Sequence, residues 1–206
     1  MALKNKAPFF MKIKFCLPSK SSGNANALHV KYIAVEAEQV IESNMNSQAS
    51  NAVLFGADGI EDTKGIQKEL RKHDGVVWRF ILSLREDDAK RLGHNAKEDW
   101  ERVIRLSIPG VASGMGIGLA NLKWAAAFHD AKDHPHVHLM VWENEPKILR
   151  GLLDDKELKN VRRAFMNEFY GEARWQMMLE RTLYRNSMRE SARESAILAK
   201  GIRPRQ

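Results

Sequence analysis

Seven histidines occur in the 206-residue chain, and four of them, His129, His134, His136 and His138, crowd into the string FHDAKDHPHVHLMVW. Val137–Trp142 reads as a strand, in which alternate side chains face the same way. His136 and His138 therefore share one face, while Val137, Leu139 and Val141 turn towards a core. Two imidazoles side by side on a sheet are a natural pair of metal ligands, and neutral imidazole suits Mn, Zn, Ni or Cu. The expected third ligand is His129, at the end of a helix expected over Ile117–Phe128 and returned over the strand by a short polar turn. His134, in that turn before Pro135, is a supporting group at most. Surface histidines on an exposed strand would explain one such residue. Four so close together, two of them alternating, point instead to metal or catalytic chemistry.

A second reactive group is needed if the cluster does more than bind. The chain has three tyrosines, Tyr32, Tyr170 and Tyr184. Ala27–Ile41 reads as a helix whose apolar stripe is Val30, Ile33, Ala37, Val40 and Ile41. Tyr32 points about 130° away from the centre of that stripe, so it is a candidate for chemistry rather than core. His29, three residues earlier, shares its side of the helix. The glycines of PGVASGMGIGLA include no Gly-Lys-Ser/Thr and do not make a phosphate loop. Pro109–Gly118 reads as a loop, with glycines permitting a tight turn and close packing.

These groups need a scaffold. Phe9–Leu17 and Val76–Leu84 are rich in β-branched and aromatic residues and read as strands. Glu61–His73, Arg85–Leu92 and Ala96–Leu106 read as helices, and the chain from Asp154 to about Ala199 as one long basic helix. Its Val161, Phe165 and Phe169 recur every fourth residue, so one face should pack on the body. Ser43–Asn51 is polar and reads as flexible. The irregular mixture of strands and helices indicates an α+β fold: an antiparallel β-sheet flanked by helices, with a long helical C-terminal extension. The expected division is a catalytic domain over 1–150 and a basic helical extension over 151–206. Residues 146–206 carry 14 Lys/Arg against 8 Asp/Glu, nearly all of the net charge of +7. Such a surplus suits a polyanion such as nucleic acid. The single cysteine, Cys16, excludes an internal disulfide and a Cys-based zinc site. No apolar run reaches the roughly 18 residues of a spanning helix, and no secretory signal is evident. A cytoplasmic protein without membrane insertion is expected.

The order of these elements carries a resemblance. An N-terminal strand, a Ser/Asn-rich loop, a helix with Val-Lys-Tyr-Ile and a later His-x6-His-x-His resemble the DNA relaxases of conjugative and mobilisable elements, in the MobP/MobL-type branch of Gram-positive bacteria. VVWRFILSLREDDAKRLG, LANLKWAAAFHDAKDHPHVHLMVW and the tail LDDKELKNVRRAFMNEFYGEARWQMMLERTLYRNSMRESAR resemble that branch closely, so the likeness covers about residues 13–193. It implies an HUH-type endonuclease that nicks one strand at an origin of transfer in conjugation or plasmid mobilisation. Tyr32 would be the nucleophile, and His129, His136 and His138 would hold a divalent metal, Mn or Mg in use, with Zn or Ni as further options. The metal-bound phosphate, Asp130, Asp133 or His29 would help to deprotonate a phenol that ordinarily titrates near 10. Arg79 or Arg85 would grip phosphates, and Trp78 or Trp142 would stack on an unpaired base. The implied partners are single-stranded origin-of-transfer DNA, accessory transfer proteins and a coupling protein. Such relaxases usually continue further, so the chain corresponds to a minimal nicking domain or a piece of a longer relaxase. Two alternatives stand beside this reading. One is a non-catalytic DNA-binding accessory protein. The other is a histidine-triad nucleotide hydrolase, whose His-x-His-x-His pattern fits His134, His136 and His138.

Overall fold

A computed structural model describes residues 9–43, 54–94, 96–130 and 135–201. In chain order the elements are β1 (Phe9–Cys16), α1 (Ser22–Ser43), β2 (Phe55–Gly56), β3 (Gly59–Ile60), α2 (Thr63–Lys72), β4 (Val77–Leu84), α3 (Glu86–Arg91), α4 (Lys97–Met115), β5 (Leu122–His129), β6 (His136–Glu143) and α5 (Asp155–Gly201). The six strands form one sheet in the order β1-β4-β6-β5-β2-β3, and every pairing is antiparallel.

Both faces of the sheet are covered, and the strand residues sort accordingly. On one side Val30, Ile33 and Ala34 of α1 and Ile66 and Leu70 of α2 bury against Val77, Ala125, Ala127, Met140 and Trp142. On the other side Phe165 and Phe169 of α5 pack on Phe9, Phe165 also meets Phe80, and Trp100 of α4 packs on Phe128. Val161, Phe165 and Phe169 are all buried, as their spacing of four requires. α5 opens with a reciprocal cap: the Asp154 carboxylate accepts from the Glu157 N–H at 2.8 Å, and the Glu157 carboxylate from the Asp154 N–H at 2.8 Å. One compact unit ends at Phe169, and Tyr170–Gln206 forms a second unit, helical as far as Gly201.

Two expectations are corrected. Ile117–Phe128 is not a helix; after a single 3-10 turn, Leu122–His129 is strand β5, between β6 and β2. LKWAAAF favours a helix locally, but Ala125 and Ala127 lie under α1 and α2, where small side chains allow the helices close to the sheet. Pro109–Gly118 is not a loop; α4 runs through Pro109 to Met115 and stops at Gly116, whose φ of 71° is left-handed. The glycines serve close packing inside the helix. A Cβ on Gly110 would lie 2.7 Å from the Ala164 Cβ of α5, and one on Gly114 would lie 3.0 Å from the Val161 nitrogen.

Candidate metal centre

The β5–β6 hairpin assembles the histidines. Its register pairs His129 directly with His136 and Ala127 with His138, so all three imidazoles stand on the face covered by α1. Ring centroids are 5.1 Å apart for His129 and His136, 4.8 Å for His129 and His138, and 5.2 Å for His136 and His138. Each residue offers one nitrogen, and these three atoms lie within 4.8 Å of one another. His129 sits at the end of a strand rather than of a helix, which places it opposite His136 without any need for a turn to fold back.

The surroundings suit metal binding. His129 is only 3% exposed, and its Nε2 lies 2.8 Å from the Ile33 carbonyl of α1. That carbonyl can only accept, so Nε2 carries a proton, and in the neutral ring the lone pair is on Nδ1, the arrangement that orients a ligating imidazole. Burial, reinforced by the neighbouring His129, His136 and His29 rings, pushes the His138 imidazole down to about 3. It is therefore neutral, as a ligand must be. The donor set, three imidazoles on one hairpin, fits a borderline divalent cation.

α1 brings the remaining candidates. His29 meets the edge of His138 with centroids 6.2 Å apart, and its other side stacks on Tyr32 at 6.1 Å with ring planes 19° apart. Burial, with the positive charges of Arg79 and Lys14, holds His29 down to about 4. Tyr32 is 53% exposed, so its ring reaches solvent beside the cluster. The α1 N-terminus is tied down by Arg79, which donates to the Asn26 side chain at 2.6 Å and the Ala25 carbonyl at 3.2 Å. Asp130 follows His129 directly and is exposed. Asp133 and His134 lie outside the described residues. Tyr184 is exposed and belongs with Tyr170 to the second unit.

The two tryptophans expected to meet a base do not. Trp78 is fully buried and donates from its indole N–H to the Gly151 carbonyl at 2.8 Å. Trp142 is buried and donates to the Glu69 carboxylate at 2.8 Å. Because both faces of the sheet are covered, each has a core place. Sequence reasoning also missed the Ile33 carbonyl, since a backbone group leaves no mark in the sequence. It missed Lys14 as well: alternation in FFMKIKFC groups it with Lys12, but only the β1–β4 register puts it on the Arg79 face.

A six-stranded antiparallel sheet flanked by helices, with a three-imidazole hairpin beneath a tyrosine-bearing helix, defines an α+β protein with three histidines that could hold a metal ion. Residues 20–201 match the family model of the MobL relaxases, and the chain belongs to that family. Membership assigns it a relaxase function, that of a DNA-nicking enzyme acting in conjugation or mobilisation. No curated protein and no solved structure matches the chain. Among the described residues no helix is long and apolar enough to cross a membrane.

Proposed function

We propose that the chain nicks one strand of origin-of-transfer DNA by metal-assisted transesterification at Tyr32. The observation that carries this reading is the convergence of His129, His136 and His138 on one point, with His29 joining that cluster to Tyr32 through ring contacts. The Tyr32 oxygen attacks the scissile phosphorus, the bond to the departing 3′ oxygen breaks, and a 5′-phosphotyrosyl link keeps the phosphoester available for resealing. The phenolic proton passes to His29, Asp130 or Asp133, and the departing 3′ oxygen takes a proton from water. A divalent ion, Mn or Mg in use and Zn or Ni as further options, supplies Lewis-acid charge stabilisation at a phosphate oxygen when bound. His129, His136 and His138 would hold it, with the Ile33 carbonyl keeping His129 in the ligating tautomer.

The family favours DNA over a mononucleotide, and a histidine-triad hydrolase has no use for His129 in the cluster. A non-catalytic accessory protein would bind the same DNA without forming a covalent link. The proposed partners are therefore single-stranded origin DNA, accessory transfer proteins and a coupling protein, met in the cytoplasm. The test is incubation with single-stranded origin DNA and Mn or Mg, followed by a denaturing gel. The wild type should give a covalent protein–DNA band that disappears in Tyr32→Phe while metal binding is retained. A band that survives that substitution, or maps to Tyr170 or Tyr184, overturns the assignment.

A further inference from the structure

The pairing register carries the histidine rows outward across the sheet. His129 faces His136, His136 faces Ser83, and Ser83 faces Phe10. One row on, His138 faces Ile81 and Ile81 faces Lys12, and in the next row Met140, Arg79 and Lys14 follow one another. Directly paired residues project to the same side of a sheet. Phe10, Lys12 and Lys14 therefore stand on the histidine face, at the β1 edge. With strands about 4.8 Å apart, β1 runs roughly 10 Å from β6.

Among the described residues these side chains have no structural task that explains them. Phe9, not Phe10, supplies the ring that packs under α5, and Phe10 is 54% exposed. Lys12 and Lys14 are exposed, and neither β1 nor β4 contains an acidic residue. Arg79 is tied to α1 through its Nη2 and adds positive potential to the same face. We infer that this strip seats the single strand flanking the nicked phosphate: Phe10 stacks on an unpaired base, and Lys12 and Lys14 neutralise neighbouring backbone phosphates. Exposed ring faces and a cationic track are what unpaired DNA offers a partner for, whereas duplex hides its base faces. The inference rests on the relaxase reading for its choice of DNA as ligand.

The test measures anisotropy of labelled 20-mer oligothymidine, and of duplex of equal length, with the full chain. Stacking one base is typically worth enough that Phe10→Ala should weaken single-strand binding by about 5-fold to 100-fold. Duplex binding and melting temperature should not move, and Phe10→Trp should restore affinity. Replacing both Lys12→Gln and Lys14→Gln should reduce the slope of log K against log salt by about 1.4. The pair Lys64→Gln and Lys68→Gln, an equal charge change on exposed α2, should leave that slope alone. Unchanged single-strand affinity in Phe10→Ala, equal losses for duplex and single strand, or equal slopes for the two lysine pairs would overturn the inference. Failure of the two readings is separable. A wild type that forms no covalent adduct but shows these shifts loses the Tyr32 mechanism and keeps the strip. Adduct formation with Phe10→Ala binding as wild type does the reverse.

Discussion

Replacing His129 or His136 by Ala should remove the same ligand site at different cost to the fold. His136 is half-buried, so its loss should cost the metal-free protein less than the loss of the buried His129. His129 is buried and bonded to the Ile33 carbonyl, so its loss should cost about 1–3 kcal/mol. Metal bound only to the folded state stabilises it by about 2.7 kcal/mol at 100 times its dissociation constant. The compact unit ends at Phe169. An unfolding entropy of about 2.1 cal/mol/K per residue for a unit of that size turns the gain into about 8 °C. The assay is a thermal melt with chelator, then with Mn, Ni or Zn in turn. Wild type should shift upward by about that amount, and neither variant should shift. His129→Ala should also melt lower than His136→Ala in chelator. A metal-induced shift retained in both variants would put the ion elsewhere. No shift in wild type with any of the three would remove the metal centre itself.

Three further outcomes are expected. Ending the chain after about Tyr170 removes 8 Lys/Arg and 4 Asp/Glu, so DNA binding should weaken and the salt slope flatten by up to about 3. Nicking at saturating DNA should persist in that truncated chain, and unchanged affinity and slope would reduce the second unit to a solvated helix. Gly110→Val should cost about 1–3 kcal/mol in a denaturant titration, because even the first added carbon meets Ala164 at 2.7 Å; an unchanged midpoint would contradict the close crossing of α4 and α5. Without metal, stability should be greatest above pH 6.5 and fall as pH drops, because His29 and His138 are held down to about 4 and 3 in the folded state and titrate near 6.5 unfolded. His29→Gln should make that decline shallower in acid melts; identical curves would show that His29 does not resist protonation.

Much of the scaffold was legible because its signals are local. β4 and β6 are apolar, β-branched segments, α1 and α2 carry apolar stripes, and the spacing of Val161, Phe165 and Phe169 fixes the buried face of α5. Strand alternation correctly put His136 and His138 on one face. β5 was misread because LKWAAAF is helix-compatible, and only the helices lying over it explain why alanine suits a strand there. The helix through Pro109 was misread for the converse reason: its glycines look like a loop until α5 is seen to press on them. The β2–β3 hairpin, turning through Ala57-Asp58 into Gly59 at φ 122°, has strands of only two residues, too short for any periodicity. Trp78 and Trp142 were expected at a base because alternation cannot reveal that both sheet faces are roofed.

The three candidate ligands belong to one hairpin, whereas Tyr32 belongs to a helix resting on it. Their relative position is set by a few joints: the Val30, Ile33 and Ala34 contacts, the Ile33 carbonyl at His129, the Arg79 ties to Ala25 and Asn26, and the bond from the Gln67 amide to the Ala27 carbonyl. Substitutions in those joints can shift or tilt the helix while the hairpin keeps its internal geometry. Because the Ile33 carbonyl also holds His129, a shift of the helix reaches the imidazole cluster through that one bond. Editing α1 therefore changes the reach of Tyr32 and the seating of His129 together.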